Sequence, residues 1–164
     1  MLDKAYKRLR EAEYYLCKVR GRKEKRFHNE PDEMEYLLNV FLNAARGVQN
    51  AARHAEGDIF RHWYLQWERL LSEDDKILLV SMINQRNEST HAGESVSATD
   101  VVWVPISRLP VNRDRGYGVV LQPPGTPEPA IGVLVMYLEV GRQTLEAEEC
   151  CSRFYELLRN MLAE

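Results

Sequence analysis

Apolar residues recur at helical spacing through most of the first 91 positions. Tyr6, Leu9, Leu16 and Val19 fall on one stripe, with Asp3 placed to cap it and Gly21 to end it. That pattern predicts a first helix over about 3–20. Pro31 followed by Asp32 and Glu33 is a helix start, because the fixed proline φ suits the first turn and the carboxylates complement the dipole. Met34, Leu37, Leu38, Phe41, Leu42, Ala45, Val48 and Ala52 then give a long apolar face, predicting a second helix over about 32–55. Its small residues, Ala44, Ala45, Gly47, Ala51 and Ala52, allow another helix to approach closely. Gly57-Asp58 breaks and restarts the chain, and a third helix over about 58–71 turns Trp63, Trp67, Leu70 and Leu71 inward. Ser72 and the acidic run through Asp75 begin a fourth helix, which carries Ile77, Leu78, Val80 and Ile83.

After Gly93 the pattern changes. Residues 101–104, 118–121 and 131–138 are rich in β-branched and aromatic side chains and read as strands. The proline-rich segment 122–129 cannot lie inside a strand or helix, so it reads as an exposed loop between antiparallel strands. The third strand is apolar on both faces, Gly132, Leu134, Met136 and Leu138 alternating with Val133, Val135 and Tyr137. One face can cover the helices and the other a partner. Gly141 marks the switch to a last helix over about 144–162, with Ala147, Cys151, Phe154, Leu158 and Met161 as its stripe. The fold expected is mainly α, with a small antiparallel β-segment inserted at about 97–140, before the C-terminal helix. All 164 residues form a single domain in this reading.

Composition narrows the classes. No stretch approaches the roughly 18 continuous apolar residues of a membrane span, and the charged N-terminus has no signal-peptide core. Three cysteines, two of them adjacent (Cys150 and Cys151), suit neither a disulfide framework nor a zinc site. A reducing, cytoplasmic setting without a structural metal or cofactor is expected. Net charge is −3, but residues 1–30 hold ten Lys and Arg against five Asp and Glu, and the rest holds twelve against twenty. Residues 20–28 read as a basic loop with Phe27 in it. Its Arg22, Lys23, Lys25 and Arg26 are candidate RNA-phosphate contacts. The alternative is an ordinary solvated face.

The candidate chemistry lies where the fourth helix ends, in Arg86-Asn87-Glu88-Ser89-Thr90-His91. Asn87 and His91 are i and i+4 and share a helix face, while Arg86 and His91 are about 140° apart and need a long side chain to converge. A fixed cation, an amide and a titratable imidazole together can hold and cleave a phosphodiester. The competing reading is a pair of solvated residues on a last helical turn, where cations favour the dipole. His54, His62, Cys150 and Cys151 read as surface or packing residues. No P-loop, Rossmann glycine pattern, HExxH or nucleophile elbow is present.

With this motif after an acidic helix start, and with the segment 41–48 in a long second helix, the chain resembles the HEPN superfamily, whose motif is Arg-x4-6-His. The resemblance covers about 1–93 and 140–162. It implies a four- or five-helix bundle that dimerises with both motifs in one cleft, and a metal-independent RNA endonuclease of toxin or defence type. In that reading Arg86, Asn87 and His91 are catalytic, RNA is the substrate, and an antitoxin is a possible protein partner. Its other branch implies a catalytically silent module that binds a nucleotide or a protein partner. One branch carries a Tyr two residues after the His, the target of a partner nucleotidyltransferase; here that position is Gly93.

Overall fold

In a computed structural model, residues 2–24, 31–91, 97–105, 125 and 127–163 are described. Four helices and a three-stranded antiparallel sheet follow one another as α1 (Asp3–Glu24), α2 (Pro31–Leu70), α3 (Glu73–His91), β1 (Ser97–Pro105), β2 (Ala130–Val140), β3 (Gln143–Glu146) and α4 (Ala147–Ala163). The protein is therefore mainly helical with a small antiparallel sheet before its last helix. Among the described residues no helix is long and apolar enough to cross a membrane.

The core forms where the apolar stripes meet. Leu9, Leu16, Leu38, Phe41, Leu42, Val48, Leu78, Met82, Phe154 and Leu158 all belong to one buried cluster, and Phe41 meets Phe154 edge to face at 6.5 Å. The small residues of α2 are used within the chain: α1 packs most extensively against α2, with Ala5 and Ala12 buried alongside Ala45 and Ala52. A Cβ on Gly47 would stand 3.2 Å from Arg8 Cδ. Tyr6 is 41% exposed rather than part of the buried stripe, because its hydroxyl reaches out to donate to Leu162 O at 2.8 Å.

Several boundaries differ from expectation. Helix α1 runs through Gly21 to Glu24, because a lone glycine costs only about 1 kcal/mol inside a helix and nothing stops the following residues from continuing it. Arg22 and Lys23 therefore lie on a helix and not in a loop. The second and third helices form one span kinked at Gly57, whose φ of 55° and ψ of −126° suit glycine alone. Leu70 is 83% exposed and not inward, since it ends α2 beyond the core. Gly141 turns β2 into β3, a strand absent from the sequence reading, so Thr144 is sheet and α4 starts at Ala147. The expected strand at 118–121 lies outside the described residues.

Two local devices fix α3. At its start, Ser72 Oγ accepts from Asp75 N (3.2 Å), an N-cap at the expected place, and donates to Asp75 Oδ2 (2.7 Å). Along its length, Leu78, Leu79, Met82 and Gln85 are buried, while Ile77 and Val80 are more than a third exposed. The sheet docks on α3 through the β2–β3 hairpin: Gly141 N donates to Ser81 Oγ at 3.2 Å, and Gln85 Nε2 donates to Glu139 O at 2.7 Å.

Gly141 has φ of 63°, and a Cβ there would stand 2.7 Å from Ile77 Cγ2. A left-handed conformation costs an L-residue about 1–2 kcal/mol before any clash is counted. Gly141→Ala is therefore expected to lower the unfolding free energy by at least about 1–2 kcal/mol in urea titration. Gly21→Ala, at an open helical position, should raise it by a few tenths up to about 1 kcal/mol.

Candidate functional site

Because Gln85 faces inward, the next residues along α3 turn outward. Arg86 is half-buried and Asn87 exposed. Arg86 Nε donates to Asn43 Oδ1 on α2 at 3.1 Å, and Arg86 Nη1 donates to Asn87 Oδ1 at 3.3 Å. Both partners are neutral amides. They fix the guanidinium without cancelling its charge, which leaves it able to bind an anion. His91 is the last residue of α3, one helical turn from Asn87, so the i, i+4 relation stands; its side chain is not among those described. The side chains of Arg22 and Lys23 are likewise not described, and Lys25 and Arg26 lie outside the described residues.

The structure adds a group that motif-reading missed. Beyond Asn43 along α2 come Arg46, Gln49, Asn50 and Arg53; past the Gly57 kink come Phe60, Arg61 and Tyr64. With Ile83 of α3 they line a cleft of about 430 Å³. Arg46 Nη1 donates to Gln49 Oε1, and Gln49 Nε2 donates to Tyr64 Oη at 3.1 Å. Burial, set against the nearby Tyr64 phenol, lowers the Arg46 pKa, and the like charges of Arg86 and Arg53 lower it further. Burial pushes the Tyr64 phenol up to about 12, with Glu68 adding to the rise. Tyr64 is thus protonated at neutral pH, and Arg46 and Arg86 sense each other across the α2–α3 seam. The signal in the sequence was arginine at i and i+7 on α2, Arg46 and Arg53. It was overlooked because it carries no chemistry until the kink brings Arg61 and Tyr64 alongside.

Among the described residues, no group of three or more His, Cys, Asp and Glu stands together as metal ligands. His62 is exposed, its Nδ1 3.0 Å from Asp58 O, and His54 is exposed beside the α1–α2 groove. Cys150 and Cys151 are fully buried. No family model matches the chain, nor does any curated protein or solved structure.

Burial pushes the Cys150 thiol up to about 11 and Cys151 well above its ordinary value, whereas Cys17 is exposed. Iodoacetamide is expected to alkylate one thiol per folded chain quickly and three in denaturant; fast modification of a second in the folded protein would contradict this packing. The buried thiols also set the sign of an alkaline effect. The unfolded chain loses these protons first, so stability is complete below about pH 8.5. It should fall as pH rises toward 11, read as a declining urea midpoint.

Proposed function

We propose that the protein is a metal-independent RNA endonuclease of the HEPN type that works as a homodimer. The observation that carries this reading is Arg86: its guanidinium is held by two amide oxygens, faces no carboxylate partner among the described residues, and lies one helix end away from His91. In this reading the RNA 2′-oxygen attacks the neighbouring phosphorus as the bond to the 5′-oxygen breaks. The products are a 2′,3′-cyclic phosphate and a free 5′-hydroxyl. His91 takes the 2′-proton, and a second His91, from the other protomer, gives one to the leaving 5′-oxygen. Arg86 stabilises the extra charge on the phosphorane. Asn87 holds Arg86 and orients the phosphate.

The dimer seam in this reading runs along the outer faces of α2 and α3. Exposed Tyr36 and Val40 lie on α2 with Asn43 two turns from Tyr36, and exposed Val80 lies two turns before Asn87 on α3. Apolar residues thus flank the motif on both helices. The small-residue stripe of α2 contributes nothing to this seam, because α1 covers it. The β1 residues Val102 and Trp103, both exposed, suit an antitoxin or other protein partner. The second reading, a silent module that holds a nucleotide or a protein, is favoured by the arginine cleft, which needs no histidine to bind.

Incubation of purified protein with single-stranded RNA in EDTA is expected to yield 2′,3′-cyclic phosphate ends. His91→Ala should lower the rate by about 10²–10⁴. Arg86→Lys should also impair cleavage, because the ammonium lacks the planar fork. Both variants should melt close to the parent. Cleavage by His91→Ala at the parental rate rejects the nuclease reading; binding of RNA without cleavage by the parent selects the silent module.

A further inference from the structure

The arginine cleft has a neighbour. On the other side of α2, a groove of about 830 Å³ between α1 and α2 is lined by Lys4, Lys7, Arg8, Asn50 and His54 among others. Asn50 belongs to the walls of both cavities, so the two meet over a single ridge of α2. Together their walls carry Lys4, Lys7, Arg8, Arg46, Arg53 and Arg61 against one carboxylate, Glu11. Glu11 is already spoken for, since its Oε2 accepts from Arg8 Nη1 at 2.6 Å. On a chain whose net charge is −3, this is a strong local excess of positive charge.

Four arginines meet carboxylates: Arg8 in the groove itself, and Arg20, Arg153 and Arg159 outside it, at 2.6, 3.4, 3.3 and 2.6 Å. Among the described residues Arg46, Arg53 and Arg61 have no such partner. Arg46 is moreover half-buried, beside Arg53 and Arg86, where like charges repel. Positive charge gathered into concave walls with little counter-charge is the arrangement of a polyanion site. The Tyr64 hydroxyl accepts from Gln49, and among the described residues nothing accepts its proton, so it is a further donor at the cleft wall.

The dimensions decide the ligand. Arg46 and Arg53 are seven residues apart on one helix face, about 10.5 Å along the axis, and Lys4 and Lys7 lie beyond the Asn50 ridge. One phosphate group cannot meet all of them. Cations set in walls on both sides of a ridge also suit a flexible chain better than a flat lipid surface. We propose that a single-stranded RNA crosses α2 here, its successive phosphates held by Arg46, Arg53 and Arg61 in the cleft and by Lys4 and Lys7 in the groove. This deepens the reading of Arg86 as a substrate-binding residue and rests on it, because Arg46 carries the path of the strand to Arg86. With the arginines assigned to phosphates, the amides lining the cleft among the described residues are Gln49 and Asn50, and Gln49 is engaged with Arg46 and Tyr64. Binding along this path is therefore weakly selective for sequence.

The test uses the full chain and a fluorescein-labelled 2′-O-methyl RNA 12-mer, which cannot be cut because its 2′-oxygen is blocked. Binding is read by anisotropy across a salt series. Arg53→Ala/Arg61→Ala and Lys4→Ala/Lys7→Ala change exposed positions and should melt like the parent. Each pair should weaken binding roughly tenfold and reduce the log–log salt slope by roughly 1.4, the share of two single-strand phosphates. ATP should bind more weakly than the 12-mer and be insensitive to the Lys4/Lys7 pair. Parental affinity and salt slope in both double variants would overturn the proposal. So would loss of ATP or anionic-vesicle binding in Arg53→Ala/Arg61→Ala with RNA binding intact. The two readings fail separately: a parent that never cuts RNA, yet binds the 12-mer with the expected dependence on these residues, loses the nuclease and keeps the strand path.

Discussion

The hydrogen bond from the Gln85 amide to the Glu139 carbonyl, at 2.7 Å, sets the rotation of the helix that carries the motif. Among the described residues Gln85 is one of two buried polar residues, the other being Gln49. A helix advances 100° per residue, so holding Gln85 against the sheet sends Arg86 toward α2 and Asn87 toward solvent. An all-apolar interface would tolerate a shifted phase at modest cost. A buried amide does not, because an unpaired one costs about 1–3 kcal/mol. Gln85 Oε1 already lacks a partner, so the Nε2 contact is the one that holds this side chain in register.

The other polar residue in the interior plays the corresponding part on α2. Gln49 accepts a hydrogen bond from Arg46 and donates one to Tyr64, tying the cationic wall of the cleft to the aromatic wall beyond the kink. Behind Tyr64 the rings of Phe60, Trp63 and Trp67 stack and tilt at centroid separations of 5.5 to 6.2 Å. That packing gives the arginines a firm backing. Their mutual repulsion is a cost carried by the folded state, and an anion in the cleft relieves it. Any anion that binds there would stabilise the fold by that relief.

What the sequence disclosed followed the physics of each element. The long apolar face of α2, the Ser72 cap and the two longer strands are local patterns, and each was legible. The run of α1 through Gly21 was not, since one glycine only weakens a helix. Strand β3 was hidden because Gln143, Thr144, Leu145 and Glu146 give no alternation long enough to distinguish sheet from a helix start. At the candidate site, Arg86 and Asn87 could be singled out by their side-chain types, and the partnership with Asn43 could not, since it spans 43 positions and depends on how α2 and α3 pack. Arg46, Arg53 and Arg61 belong to no sequence motif. What sets them apart is that among the described residues none of them pairs with a carboxylate, a property of three-dimensional neighbours and not of sequence.

The kink at Gly57 lets one continuous stretch of backbone supply both walls of the arginine cleft. Arg46 and Tyr64 are only 18 positions apart, whereas the contacts that orient Arg86 join residues 43 and 54 positions apart. The cleft therefore rests mostly on contacts local to α2, with Ile83 of α3 added, while the orientation of Arg86 depends on how α2, α3 and the β2–β3 hairpin pack. Undocking the β-hairpin would release the phase of α3, and with it Arg86, while leaving the α2 walls of the cleft in place: the two cationic features depend on different packing contacts of one small fold.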